Sequence, residues 1–310
     1  MKKIFCFVVL IGALFLTIKY KSQIVNYLMK NAVYKENIVF GDANSYYKDT
    51  DYLFVQNTTN LYPSNRQGIL NIIYSTLNRG LNEVTFYCAD GYDKCIDDVN
   101  TIAEDSVSLS TINNLVHPFN SYSNIYFTIS DYGKVNIKVS KIYSDSDISI
   151  INDKINDITN SIVSDDMSNY DKILAFHDYI VNNTVYDSSV SIDNQSYSNT
   201  HSNTAIGLLL EGKAICSGYS DTMAIFLNMN GINNYKISSD EHIWNLVNID
   251  GMWKHIDVTW DDPVTSNGTN ILLHDFFLID SQELFDKEES FEKDNHIFNK
   301  DLYMEAMEQR

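Results

Sequence analysis

Three residues in the C-terminal half of the chain have the types and surroundings to build an activated thiol: Cys216, His242 and Asp257. Cys216 lies in the stretch GKAICSGYSDTMAIFLNMNG, from Gly212 to Gly231. After Ser217, the apolar residues Tyr219, Met223, Phe226, Leu227 and Met229 suit one helical face, and Gly231 is a natural C-terminal cap. The spacing therefore sets Cys216 at or just before a helix N-terminus, where unpaired backbone N–H groups and the positive end of the helix dipole gather. Such a place favours a thiolate nucleophile and can stabilise an oxyanion. His242 and Asp257 fall in HIWNLVNIDGMWKHIDVT, in which two alternating runs flank Asp250-Gly251, the preferred pair for a type I′ hairpin. A two-residue turn pairs Ile249 with Met252, sets Trp244 opposite Asp257 and His242 opposite Thr259. His242 and Asp257 are then diagonal neighbours on one face, with backbones about 7–8 Å apart and side chains closer. A carboxylate on one ring nitrogen fixes the tautomer and leaves the other nitrogen as a base. A slip of one residue would send the two side chains to opposite faces.

The segments AICSGYS and EHIWNLVNIDGMWKHIDVTWDDP resemble the core of the transglutaminase-like superfamily. Its motifs are a Cys before a helix with Gly-Tyr following, His-x-Trp-Asn on one strand and Asp-x-Thr-Trp-Asp on the next. All occur here in that order, over roughly residues 165 to 285, and FFLID at 276–280 is similar to the end of the core in bacterial members. The resemblance implies an α+β fold with a papain/transglutaminase-like core, in which the Cys-bearing helix packs on an antiparallel sheet. It also implies a triad of nucleophile Cys216, base His242 and orienting Asp257, and acyl transfer on protein or peptide amides through a thioester. A transglutaminase, a deamidase and a peptidase all fit, and the chemistry needs no cofactor and no metal.

Other residues near these motifs have weaker claims. Trp244 can shield the site or support the transition state, and Tyr219 can pack the helix start or reach substrate through its hydroxyl. Asn245 points away from His242 and reads as structural, whereas His255 shares the face of Asp257. Asp261, Asp262 and the loop through Asn270 gather hard oxygen ligands of the kind calcium takes, but without EF-hand spacing, so a solvated loop is the expectation. His177 reads as a histidine at the edge of a helix core. Tyr197 and His201 fall where relatives often complete an oxyanion hole. A metal hydrolase built on His242, His255 and Asp257 lacks any recognised metal motif. A surface binding or scaffolding module that keeps the fold without catalysis is the competing reading.

These groups need elements to hold them, and the remaining sequence supplies candidates. At about 150 residues per domain, the 310 residues suggest two. Residues 22–150 read as a small α+β domain of unknown role. It holds a helix over 64–77, a strand over 83–88, a helix over 97–103, and strands over 125–129 and 134–142 joined at Asp131-Tyr132-Gly133. Residues 151–310 read as the catalytic domain, beginning with an amphipathic helix from Ile151 to Val163. A helix from Tyr170 to Asn183, a polar loop and a short helix closed by Gly212 precede Cys216.

The net charge of −19 opposes nucleic-acid binding and polybasic membrane adhesion. Lys2 and Lys3 precede an apolar run from Ile4 to Ile18, so residues 1–21 read as a signal peptide or signal anchor. Export to the cell surface, with a protein or peptide substrate in the wall or envelope, is the expectation. Apart from Cys6 in that run, the cysteines are Cys88, Cys95 and Cys216. Cys88 and Cys95 bracket a turn-rich loop suited to a disulfide in an oxidising compartment, which leaves Cys216 unpaired.

Overall fold

The computed structural model describes residues 16–21, 23–24, 27–28, 38–130, 132–190, 200–264, 271–291 and 294–307. Most of the expected export segment, and Tyr197, lie outside them. Among the described residues no helix is long and apolar enough to cross a membrane.

The fold is mixed, with helices packed on antiparallel sheets. Helix α1 (Arg66–Asn78) buries Ile69, Ile72, Ile73 and Leu77, the face that the 3.6-residue period marks. The strands β1 (Glu83–Tyr87), β2 (Tyr122–Ile129) and β3 (Lys134–Lys141) form a sheet in the order β1-β3-β2. Gly133, at φ 82°, makes the turn between β2 and β3. Helix α2 (Cys95–Glu104) begins at a Cys88–Cys95 disulfide. The α3 helix (Ser106–Leu115) is rich in Ser, Thr and Asn and gives little apolar periodicity. Its start is fixed by Asp105, whose carboxylate accepts the Ser108 N–H at 3.0 Å.

The boundary expected between 150 and 151 falls inside α4 (Asp145–Ile162). A capping box of Ser144 and Asp147 starts this helix a turn and a half before its buried residues Ile151, Ile155 and Ile158, so the apolar pattern alone reveals only its later part. A second capping box, Ser168 with Asp171, opens α5 (Asn169–Asn183). The short strands β4 (Val185–Tyr186) and β5 (Lys213–Ala214) pair in parallel. Between them the expected short helix is a π turn, Gly207–Glu211, closed by Gly212 at φ 67°.

The second sheet runs β6-β7-β8-β9, from β6 (Asn234–Ser238), β7 (Ile243–Ile249), β8 (Met252–Ile256) and β9 (Phe277–Ile279). Helix α6 (Cys216–Met229) packs on β6 and β7, and α5 covers α6 through stacked Phe176 and Phe226 rings. The C-terminal helix α7 (Ser281–Phe291) packs beside β8. Polar bonds lock this arrangement. Asn245 on β7 donates to the Ser220 carbonyl of α6 at 2.9 Å. Lys236 on β6 donates to Asp221 of α6 at 2.5 Å, and Tyr143 donates to the same carboxylate at 2.6 Å. Each of these buried polar groups has a partner, which is what their burial requires.

One apolar cluster joins α1, α2, α3 and the first sheet to Tyr235, Trp244, Leu246, Phe276 and Tyr303. Asn114 of α3 donates to Tyr303 and to Ser238 of β6, at 2.8 and 3.0 Å. The N-terminal elements and the second sheet thus share a core.

Candidate active site

Cys216 is the first residue of α6. Ile215 before it is extended, at φ −104° and ψ 177°, and offers no side-chain cap, so the helix's first N–H groups are left for another acceptor. The close seat of this turn depends on Gly218. A Cβ there would stand 2.6 Å from the Ser202 carbonyl oxygen and 3.0 Å from that of Thr204.

The β7–β8 hairpin has the register that its alternation predicts. Ile249 pairs with Met252 and Asn245 with Ile256, with Asp250 and Gly251 at φ 52° and 83° in the turn. His242 precedes β7 and Asp257 follows β8 on the same side, and His242 Nε2 donates to Asp257 Oδ2 at 2.5 Å. The other Asp257 oxygen accepts the backbone N–H groups of Thr259 and Trp260 at 2.9 and 3.2 Å. Cys216 and His242 stand together in the wall of one cavity, where the thiol bears on the charge of the imidazole. All three are buried, and Cys216 and His242 each keep 8% exposure. Cys216 is the one free thiol among the described residues.

Charge stabilises this group against its burial. Burial is the largest influence on His242 and lowers its pKa, but the Asp257 carboxylate and the Cys216 thiol together outweigh it and raise the imidazole to about 10. Burial likewise pushes the Asp257 carboxyl up, and His242 and His296 more than reverse it, holding Asp257 well below the usual carboxylate range.

His296 is the partner that sequence reasoning missed. Its Nε2 donates to Asp257 Oδ2 at 2.7 Å, and its Nδ1 meets Glu288 Oε1. Glu288 Oε2 also accepts the His296 backbone N–H at 3.3 Å. The chain of polar contacts therefore runs His242, Asp257, His296, Glu288, and ends in α7. Both ring nitrogens of His296 face carboxylates, so the Glu288 link must carry a proton in addition to the one given to Asp257. The ring is wedged in place by a stacked Phe276 at 5.1 Å and an edge-on Trp244 at 4.9 Å. No local spacing marks this residue, which lies 39 positions after Asp257.

A cavity of about 330 Å³ opens over the thiol, with Tyr186, Cys216, Glu241, His242, Trp260 and Asp262 in its wall. Trp244 does not line it. Its ring stacks on His242 at 5.8 Å, and its N–H donates to His255 Nδ1 at 3.0 Å. Trp260 stands edge-on to His242 and takes the exposed position. Tyr219 is buried, and its hydroxyl donates to Asp262, so its polar end reaches the cavity only through that carboxylate. Burial raises Asp262 to about 6, against the opposing effects of Tyr219 and His177. His255 lies behind the sheet in a chain to Ser281, at 2.9 Å, and plays no direct part in the cavity. His201 is turned outward and pairs with Glu211 at 2.6 Å. His177 is buried against Asp261, not merely at a core edge, and Asp261 is itself fully buried, not solvated.

Residues 156–258 match the family model described as the transglutaminase-like superfamily. No curated protein matches the chain. Similar solved structures include "Crystal structure of a TGase", at 18% identity over 48% of this chain and 48% of that one, with a TM-score of 0.33. Another is "The Crystal Structure of a Putative Cysteine Protease from Cytophaga hutchinsonii", at 13% identity over 48% of this chain and 65% of that one, with a TM-score of 0.28. The chain spans about half the length of the first and less than two thirds of the second. The matched segment, about a third of the chain, holds Cys216, His242 and Asp257.

Proposed function

We propose that the protein is a cysteine acyl-transfer enzyme that acts on protein or peptide amides outside the cell. The observation that carries this reading is the His242–Asp257 hydrogen bond beside the free Cys216 thiol in the wall of an open cavity. His242 takes the Cys216 proton, and Asp257 holds the resulting imidazolium. The thiolate attacks the amide carbonyl carbon, and the oxyanion lies beside the free N–H groups at the start of α6. The C–N bond breaks as His242 returns its proton to the leaving nitrogen, and a thioester remains. A second nucleophile then gives its proton to His242 and attacks the thioester, and Cys216 departs as thiolate. An amine produces a cross-link, and water produces deamidation or peptide cleavage. The basic start and apolar run of residues 1–21 support an extracellular substrate in the wall or on a surface protein, with anchoring through that run if it is retained.

Iodoacetamide labelling of the purified protein from pH 5 to 9, with mass mapping, tests the central claim. An ordinary thiol titrates at about 8.5, so an ion pair with His242 should make Cys216 react on the order of 100-fold faster than such a thiol at pH 6. His242→Ala should restore the steep pH dependence of a free thiol, and Cys216→Ala should abolish labelling at this position and all acyl transfer. Slow labelling of the native protein below pH 8 would favour a binding module that retains the fold.

A further inference from the structure

We propose a second site, for a single divalent ion of the zinc type, formed by His177 and Asp178 of α5 and by His274 just before β9. Asp178 Oδ1 lies 3.0 Å from His177 Nδ1 and 2.7 Å from His274 Nε2. The three atoms lie within 4.8 Å of one another.

Asp261 determines what this cluster asks for. It is fully buried, and its oxygens accept the Phe276 backbone N–H at 3.0 and 3.3 Å. Its Oδ2 also lies 3.1 Å from His177 Nε2. A carboxylate accepts, so Nε2 carries the ring proton and donates. In neutral imidazole the lone pair is then on Nδ1, directed at an Asp178 oxygen that is also an acceptor. Two acceptors at that distance need a positive charge between them. A second ring proton, as at His296, would supply it for this pair alone, whereas a metal ion supplies it for His177 and His274 together and uses all three atoms as ligands, with Asp261 as the outer carboxylate that orients a metal-binding histidine.

Two imidazoles and one carboxylate suit zinc, cobalt or nickel, and not calcium or magnesium, which prefer oxygen. The His177 side chain is fully buried, whereas Asp178 and His274 are 34% and 42% exposed. The ion would thus be held on a rigid helix with its remaining positions open to solvent. Asp261 also donates its N–H to the Asp257 carbonyl at 3.2 Å, and its neighbours Trp260 and Asp262 line the cavity. An ion here would clasp α5 to the segment before β9 and stiffen the turn that forms one wall of the candidate active site.

Calorimetric titration of the purified full-length chain with zinc, and visible absorption with cobalt, test the site. The expected result is one ion per chain and cobalt bands of a nitrogen- and oxygen-ligated centre. His274→Ala and Asp178→Asn should each weaken binding by at least about 10-fold, in line with loss of a ligand. Cys216→Ser should leave the cobalt spectrum unchanged, because the thiol lies in the candidate active site and not among these ligands. The proposal is overturned if the native chain binds no ion, if both ligand variants bind as well as it does, or if the spectrum changes with Cys216→Ser.

Discussion

At the scale of single residues, the site is a problem of keeping charge in a dry place. Asp257 takes four hydrogen bonds, from two backbone groups and two histidines. That saturation keeps it ionised where burial alone would neutralise it. Asp257→Asn keeps the shape but loses the charge, so His242 loses its main cationic support. We expect labelling of Cys216 at pH 6 to fall by as much as about 100-fold, to the rate of an ordinary thiol. A variant with undiminished labelling would remove Asp257 from the mechanism. Cys216, His242 and Asp257 can be read in the sequence because each sits at a point that local rules define: a helix start, and two positions counted from a turn. His296 and Glu288 cannot, because only the path of α7 back beneath the sheet brings them to Asp257.

At the scale of elements, two glycines divide precise placement from simple turning. Gly218 lets the first turn of α6 press against the backbone at Ser202 and Thr204. Gly218→Ala should destabilise by about 1–3 kcal/mol, as overpacking does, and shift Cys216 enough to slow its labelling. Gly251 has open space around its Cβ position and needs only its positive φ. Gly251→Ala should cost about 1–2 kcal/mol and leave labelling intact, since the pairing on either side persists. Melting curves and labelling rates on the two variants separate these effects. The hairpin was legible because a period of two and an Asp-Gly turn agree on a single register. Helix α3 was not, because its Ser, Thr and Asn residues serve tertiary partners such as Tyr303, and α4 was legible only where its apolar face begins.

At the scale of the whole molecule, buried neutral histidines set the acid limit. Burial holds His255 down at about 3 and His117 well below its ordinary value. An unfolded histidine binds its proton near 6.5, so the unfolded state takes up more protons as pH falls. The stability contributed by His255 is present above pH 6.5 and is lost as pH falls towards 3. The full shift is worth on the order of 3–5 kcal/mol. Protonation would also place an N–H against the Trp244 N–H that His255 now accepts. The melting temperature should decline from pH 6.5 to 4, accompanied by a change in tryptophan emission, and His255→Gln should flatten that decline. An unchanged melting temperature over this range would contradict the neutral assignment. The two-domain outline drawn from length and patterning did not anticipate the core that α3 shares with β6, because contacts between distant segments leave no periodic trace. That sharing bears on evolution by recombination. The segment matching the family model, taken alone and moved to another gene, would arrive with Tyr235, Ile237, Trp244 and Leu246 stripped of the apolar partners that cover them. The sequence before residue 156 is thus free to drift only in ways that keep the sheet beneath the triad covered, and what looks like an appended module is bound to the fate of the site.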